Sequence, residues 1–153
     1  VVYPLQGVGQ ITAIEEKSFK GNDILYYVIY LEISDMTVMV PVDKAEGLGI
    51  RSIVSKKESE KALKHIGKEH EPVTADWKMR YQMNLDLLKS GSVIDIATVV
   101  RTLYHRSKVK ELPIQERKLF DNALKILVDE ISFSLDKTKV DVEDLIFNSL
   151  ESN

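Results

Sequence analysis

The chain has no cysteine among its 153 residues. That excludes disulfides, thiolate metal sites and cysteine nucleophiles, and it suits a reducing cytoplasm. Histidine is scarce, with 3 residues, and tryptophan occurs once. His65 and His70 are off the usual helical pair spacing and Pro72 is expected to break the helix nearby, so no metal site is expected there; His105 is the third histidine. No apolar run approaches the ~20 residues needed to span a bilayer. The longest, Ile24 to Ile33, is rich in Tyr, Ile and Val and reads as a strand. Gly7 and Gly9 lack the third glycine and the following helix of a dinucleotide fingerprint, and read as a turn between strands. Neither a phosphate-binding loop nor a nucleophile elbow is present. Acidic pairs such as Glu15 with Glu16 and Glu143 with Asp144 fall at strand ends or helix starts, where caps and solvated faces explain them. These absences argue against an enzyme, and no cofactor is expected. The first residue is Val1 rather than Met, so a short preceding segment is expected to be missing or processed, and no signal peptide is visible.

What is present divides the chain by texture. Hydrophobic residues make up 44%, enough for a packed core in one domain or two small ones. Up to about residue 46 the pattern is β-like. Val8–Lys17 and Ile24–Ile33 form an expected hairpin around a turn at Gly21, Asn22 and Asp23. Ser34 and Asp35 mark a second turn, and Thr37–Pro41 a last short strand. Pro41 cannot donate a ladder hydrogen bond, so that strand is expected at an edge. Gly47 and Gly49 mark a boundary, after which the spacing turns helical. Ser55 or Ser59 starts a helix with Leu63 and Ile66 inward, ended by Gly67 and Pro72. Thr74 or Asp76 caps a helix carrying Trp77, Tyr81, Leu85 and Leu88, closed by Ser90 and Gly91. Ser92 with Asp95 resembles a capping box ahead of Ile96, Val99, Val100 and Leu103. Pro113 suits the first turn of a long helix with Leu119, Phe120, Ala123, Leu127 and Ile131 inward. Asp141 is expected to cap a last helix bearing Val142, Leu145, Ile146 and Leu150. The fold class is α+β: a small antiparallel β module, residues 1–46, a linker, 47–54, and a bundle of about five helices, 55–153.

The net charge of −3 conceals three blocks. Residues 1–46 are net −4, residues 47–118 net +6 and residues 119–153 net −5. A basic middle between acidic ends suits nucleic acid on one face, although a solvated helical surface gives the same pattern. Within the basic block, Trp77, Lys78 and Arg80 set a large apolar ring beside two cations at a helix N-terminus. Such an end favours phosphates. An apolar wedge flanked by Lys and Arg is one way to grip a distorted minor groove. The same tryptophan at helical spacing from Tyr81 and Leu88 can equally be core.

The ordered set of features resembles the CarD/CdnL family of bacterial transcription regulators. It runs from Val1, Val2, Tyr3 and Pro4 through Gly7, Gly9, Ile14, Glu15, Lys20 and Gly21 to Thr37–Pro41 and Gly47. It continues through Asp76, Trp77, Arg80, Tyr81, Asn84, Leu85 and Lys89–Gly91. It ends with Val99, Val100, Arg101, Leu103, Glu116–Lys118, Ala123, Ile126 and Leu127. The resemblance implies a Tudor-like β barrel that binds the β subunit of RNA polymerase, as a similar module does in transcription-repair coupling factors. Its edge near Thr37, Val38, Met39 and Pro41 would take part in β-augmentation, with Lys17 also at the contact. It implies a helical half that reaches promoter DNA at the upstream edge of the transcription bubble. There Trp77 would wedge into the minor groove, and Lys78 and Arg80 would hold phosphates. The implied action is to favour the open complex, largely independently of sequence. A monomer acting in the cytoplasm, at the nucleoid through polymerase, is expected. Met39, Met79 and Gln82 stand where relatives often carry basic residues, and Pro113 where a capping Ser is common. A different class of function remains: a protein–protein adaptor with Trp77 as core and no DNA contact.

Overall fold

The computed structural model describes residues 1–68 and 76–152. The expected roles of His70, Pro72 and Thr74 lie outside the described residues. Four strands form one antiparallel sheet in the order β1 (Val2–Tyr3), β2 (Gly7–Phe19), β3 (Asn22–Leu31), β4 (Met36–Pro41). The sheet is bent into a half-barrel, with a bulge between Ile11 and Ala13. Lys20 (φ 50°) and Gly21 (φ 79°) both take positive φ between the paired Phe19 and Asn22, the backbone of a tight two-residue hairpin. Asp35, also at positive φ (52°), turns the chain into β4. A 3-10 turn, Val42–Lys44, follows. Gly7 and Gly9 belong to β2, not to a turn. The turn lies before them, where Leu5 has φ 66° and the Gln6 N–H bonds the Tyr3 carbonyl at 2.9 Å.

Five helices follow among the described residues: α1 (Lys56–Ile66), α2 (Trp77–Ser90), α3 (Val93–Val109), α4 (Ile114–Leu135) and α5 (Lys139–Glu151). Their starts are chemically marked. Ser55, Asp76, Ser92 and Thr138 each accept a backbone N–H from the first turn of α1, α2, α3 and α5. Thr138, not Asp141, caps α5; Asp141 is the third helical residue and supplies the N–H that Thr138 accepts.

Ile29, Leu31, Val40 and Ala45 make a small core under the sheet. The larger core lies among the helices and takes in Leu88, Ile96, Val100, Leu103, Ile126, Leu127, Ile131 and Ile146. Leu5 and Ile33 of the β module also pack on it. A sheet of this size buries too little surface to be stable alone, so it leans on α4. Residues 47–54, expected as a linker, are held in place. Arg51 exchanges two backbone hydrogen bonds with Val2, at 2.7 and 3.1 Å. Its guanidinium forks onto Glu130 of α4, at 2.6 and 2.8 Å.

Candidate nucleic-acid and partner interfaces

Asp76 Oδ1 accepts the Met79 N–H at 2.9 Å and so fixes where α2 begins. Trp77 is its first residue, with 36% of its surface exposed. By helical phase, at 3.6 residues per turn, its ring lies on the same side as Arg80, Asn84 and Leu88, the buried stripe of α2. It stands one turn beyond the last of them, where the packed stripe has ended. The Lys78 ammonium lies 5.9 Å from the ring centroid, within cation–π range. Met79 and Met83 are exposed on the same helix, at 60% and 52%. An apolar ring, a cation and the positive end of a helix dipole therefore meet at one point.

Arg80 corrects the sequence expectation. It is 4% exposed. Its Nε and Nη2 donate to the two carboxylate oxygens of Glu116 at 3.0 and 2.7 Å, and Glu116 is fully buried. The guanidinium neutralises a buried carboxylate and is not presented to a phosphate. Spacing alone did not expose this, because Glu116 lies on another helix.

The same pair gathers three helix ends. Glu116 sits in the first turn of α4 and Arg80 in the first turn of α2, while only four residues separate the end of α3 from the start of α4. Lys108, Lys110, Arg117 and Lys118 are exposed there. Val109 and Ile114 stand among them at 80% and 70% exposure. Reasoning from sequence missed these four cations as individuals. The signal was the basic excess of the middle block, and only the buried Arg80–Glu116 fork brings them to the end of the bundle that bears Trp77.

In the β module, β4 pairs with β3 alone, so its outer edge is unpaired among the described residues. Thr37 lies opposite Tyr30, Met39 opposite Val28 and Pro41 opposite Tyr26. Cross-strand partners share a face, and Thr37 and Met39 are exposed there. Val38, opposite Ile29, turns toward the sheet core. Lys17 pairs with Ile24, which alternation places on the same outer face as Tyr26 and Val28. It lies on β2, however, with β3 between it and β4. The sheet thus brings Lys17, Thr37, Met39 and Pro41 to one face but does not bring Lys17 to the β4 edge. Tyr30 donates its hydroxyl to Asp35 at 2.7 Å, and that bond to a carboxylate raises its pKa.

Two further features bear on chemistry. His65 Nε2 lies 2.7 Å from Thr98 Oγ1, and that hydroxyl already donates to the Ile94 carbonyl. With that hydroxyl turned to the Ile94 carbonyl, the imidazole is the donor of the pair. Burial, with Arg101 and Lys68 adding to it, lowers the His65 pKa. A cleft of about 530 Å³ lies between the end of β3, α4 and α5, lined by Glu32, Ile33, Leu124, Val128, Asp129 and Lys139 among others. Lys139 reaches Asp129 at 3.2 Å and Glu32 at 3.5 Å. Burial raises the Asp129 pKa despite the ammonium beside it. Among the described residues no cluster of three His, Cys, Asp or Glu side chains could hold a metal, and no helix is long and apolar enough to cross a membrane.

Two family profiles divide the chain as its architecture does. The CarD-like/TRCF RID domain matches residues 1–54, and the CarD C-terminal domain matches residues 61–147. The chain belongs to the CarD family. It is also 41% identical over 135 residues to the putative transcription factor YdeB of Bacillus subtilis (strain 168), covering 86% of each chain. The CarD family is one of transcription regulators, and that is the class of this protein.

Proposed function

We propose that this CarD-family protein docks on the β subunit of RNA polymerase through the β4 edge and stabilises the open promoter with Trp77. The observation that carries the proposal is the place of Trp77: half-exposed, first in its helix, and beyond the packed end of its own stripe. Lys78 beside it, and Lys108, Lys110, Arg117 and Lys118 at the same end of the bundle, supply cations for phosphates. Arg80 leaves this set because its charge is used internally. A ring wedged at the upstream bubble edge binds the unstacked duplex better than the closed one, so it shifts the promoter toward the open complex. With a net charge of −3 the free chain binds DNA weakly. Docking on polymerase offsets that weakness by raising the local DNA concentration.

The docking half rests on the free β4 edge, whose alternate N–H and C=O groups can extend a ladder onto a partner strand. Thr37, Met39 and Pro41 share the outer face there, and Lys17 supplies a cation further along the same face. The protein would then act wherever polymerase does, in the cytoplasm at the nucleoid, as a monomer and without catalysis.

The test is the lifetime of the open complex on a promoter carrying a fluorescent bubble reporter. Wild-type protein lengthens it, and Trp77→Ala removes the effect while keeping fold and polymerase binding. An unfolded helical half in Trp77→Ala would assign the ring to the core and refute the wedge. Exposed Met79 and Met83 favour a second reading, a helical half that binds another protein, since methionine surfaces adapt to varied partners. In that case Trp77→Ala would leave the lifetime unchanged.

A further inference from the structure

The two arginine–glutamate forks share one helix. Glu116 opens α4, and Glu130 lies nearly four turns further on, about 21 Å away at 1.5 Å per residue. Both carboxylates therefore leave the same side of α4. Glu116 holds Arg80, in the first turn of α2. Glu130 holds Arg51, whose Nε donates to the carbonyl of Gly91, the C-cap of α2, at 2.7 Å. The helix that carries Trp77 is thus fastened to α4 at its start directly and at its end through Arg51.

The second fastening continues into the sheet. The Arg51 backbone pairs with Val2 of β1, and the Val54 N–H donates to Glu130 at 3.0 Å. Pro4 packs between the backbones of Gly49 and Gly91, so close that a Cβ would come within 3.0 Å of its ring at the first and 3.3 Å at the second. Arg51 therefore joins residues 47–54 to β1 through its backbone, and to the end of α2 and the later part of α4 through its guanidinium. Such a planar fork fixes orientation as well as distance.

We infer, on the basis of the docking-and-wedge function proposed above, that Arg51 and Glu130 are positioning residues that fix the angle between the β4 edge and Trp77. Docking then aims the ring at the bubble edge. A loose joint would spread the ring over many positions and dilute it at the one that counts.

The absence of cysteine makes the test direct. Nitroxides on Asn22→Cys in the hairpin and Asn148→Cys on α5, both exposed, report the distance across the joint. Arg51→Gln/Glu130→Gln removes both charges together and leaves no unpaired buried ion. The expected result is a distance distribution about twice as wide, unchanged polymerase affinity, and an open-complex lifetime shortened about tenfold. Adding Trp77→Ala to this variant then shortens the lifetime little further, because joint and ring act in one step. Should the double variant fail to fold, Arg51→Lys keeps the charge without the fork and takes the same readouts. Equal distance widths, or fully multiplicative losses with Trp77→Ala, overturn the positioning role. If wild-type protein does not lengthen the lifetime, the proposed function fails. The distance widths then decide the joint alone: a broadened variant supports it and an unbroadened one refutes it.

Discussion

Arg80→Met separates the two roles that this residue could have. Its guanidinium is 4% exposed and forks onto Glu116, which is fully buried. Removing the arginine alone strands that carboxylate in the core. Breaking one side of a buried pair costs about 3–5 kcal/mol. In a domain of this size each kcal/mol lowers Tm by about 2–4 °C, so a fall of about 6–20 °C is expected. Arg80→Met/Glu116→Leu removes both charges and should recover most of the loss, because a well-packed apolar pair often equals or exceeds a buried ion pair. The assay is thermal and urea unfolding of wild type, both single variants and the double. It is run beside salt-dependent binding to a forked duplex. A residue that held a phosphate would behave in the opposite way. Arg80→Met would leave Tm almost unchanged and reduce the slope of log K against log salt by about 1. That pair of results would refute the internal role argued from the fork.

Proline at Thr37 and at Val38, made separately, should tell the docking edge from the β3 ladder, since successive N–H groups point to opposite sides of a strand. One variant should weaken polymerase binding in a folded protein and the other should destabilise the sheet; unchanged affinity in both, with the fold kept, would place the contact elsewhere. Gly91→Ala puts a side chain at φ 76° and 3.3 Å from the Pro4 ring. The left-handed backbone alone costs about 1–2 kcal/mol, a Tm fall of about 2–8 °C. Gly21→Ala, at φ 79° with nothing within 4 Å, is the control that isolates the Pro4 contact. Asp129 titrates with a raised folded pKa, so its contribution to stability is full below the ordinary carboxylate range and is lost as pH rises through the raised value. Urea unfolding from pH 4 to pH 8 should therefore show Asp129→Asn gaining on wild type as pH rises. The raised pKa of Lys139 acts only above its usual alkaline range, outside that window.

The α+β plan was legible because its marks are local. Asp76, Ser92 and Gly91 end or begin helices by bonding groups a turn away, and Lys20 with Gly21 makes its turn unaided. The apolar stripes of α3 and α4 also emerged from spacing alone, including Val99, Val100, Leu103, Ala123 and Leu127. The failures at the arginines share a cause, namely partners distant in sequence. Arg80 meets Glu116 across 36 positions, and Arg51 meets Glu130 across 79. Nothing in the neighbourhood of either arginine distinguishes it from a solvated one. Gly9 was misread for a similar reason. It sits inside β2, where an added Cβ would lie 2.7 Å from Ile29 of the neighbouring strand. A glycine that makes room for another strand looks, in sequence, like a glycine that makes a turn. Lys17 and β4 share a face through the registers of two successive strand pairs, which no single strand reveals.

The lone tryptophan has a spectroscopic consequence. With no second indole to dilute the signal, red-edge excitation of the native chain reports from the tip of α2 alone. Its emission in the free protein should lie toward the red, as a partly hydrated indole's does. Stacking against bases would quench it, while burial against an apolar protein surface would shift it to the blue without quenching. The unmodified molecule therefore carries a dye at the position where a nucleic acid and a protein partner would leave different signatures.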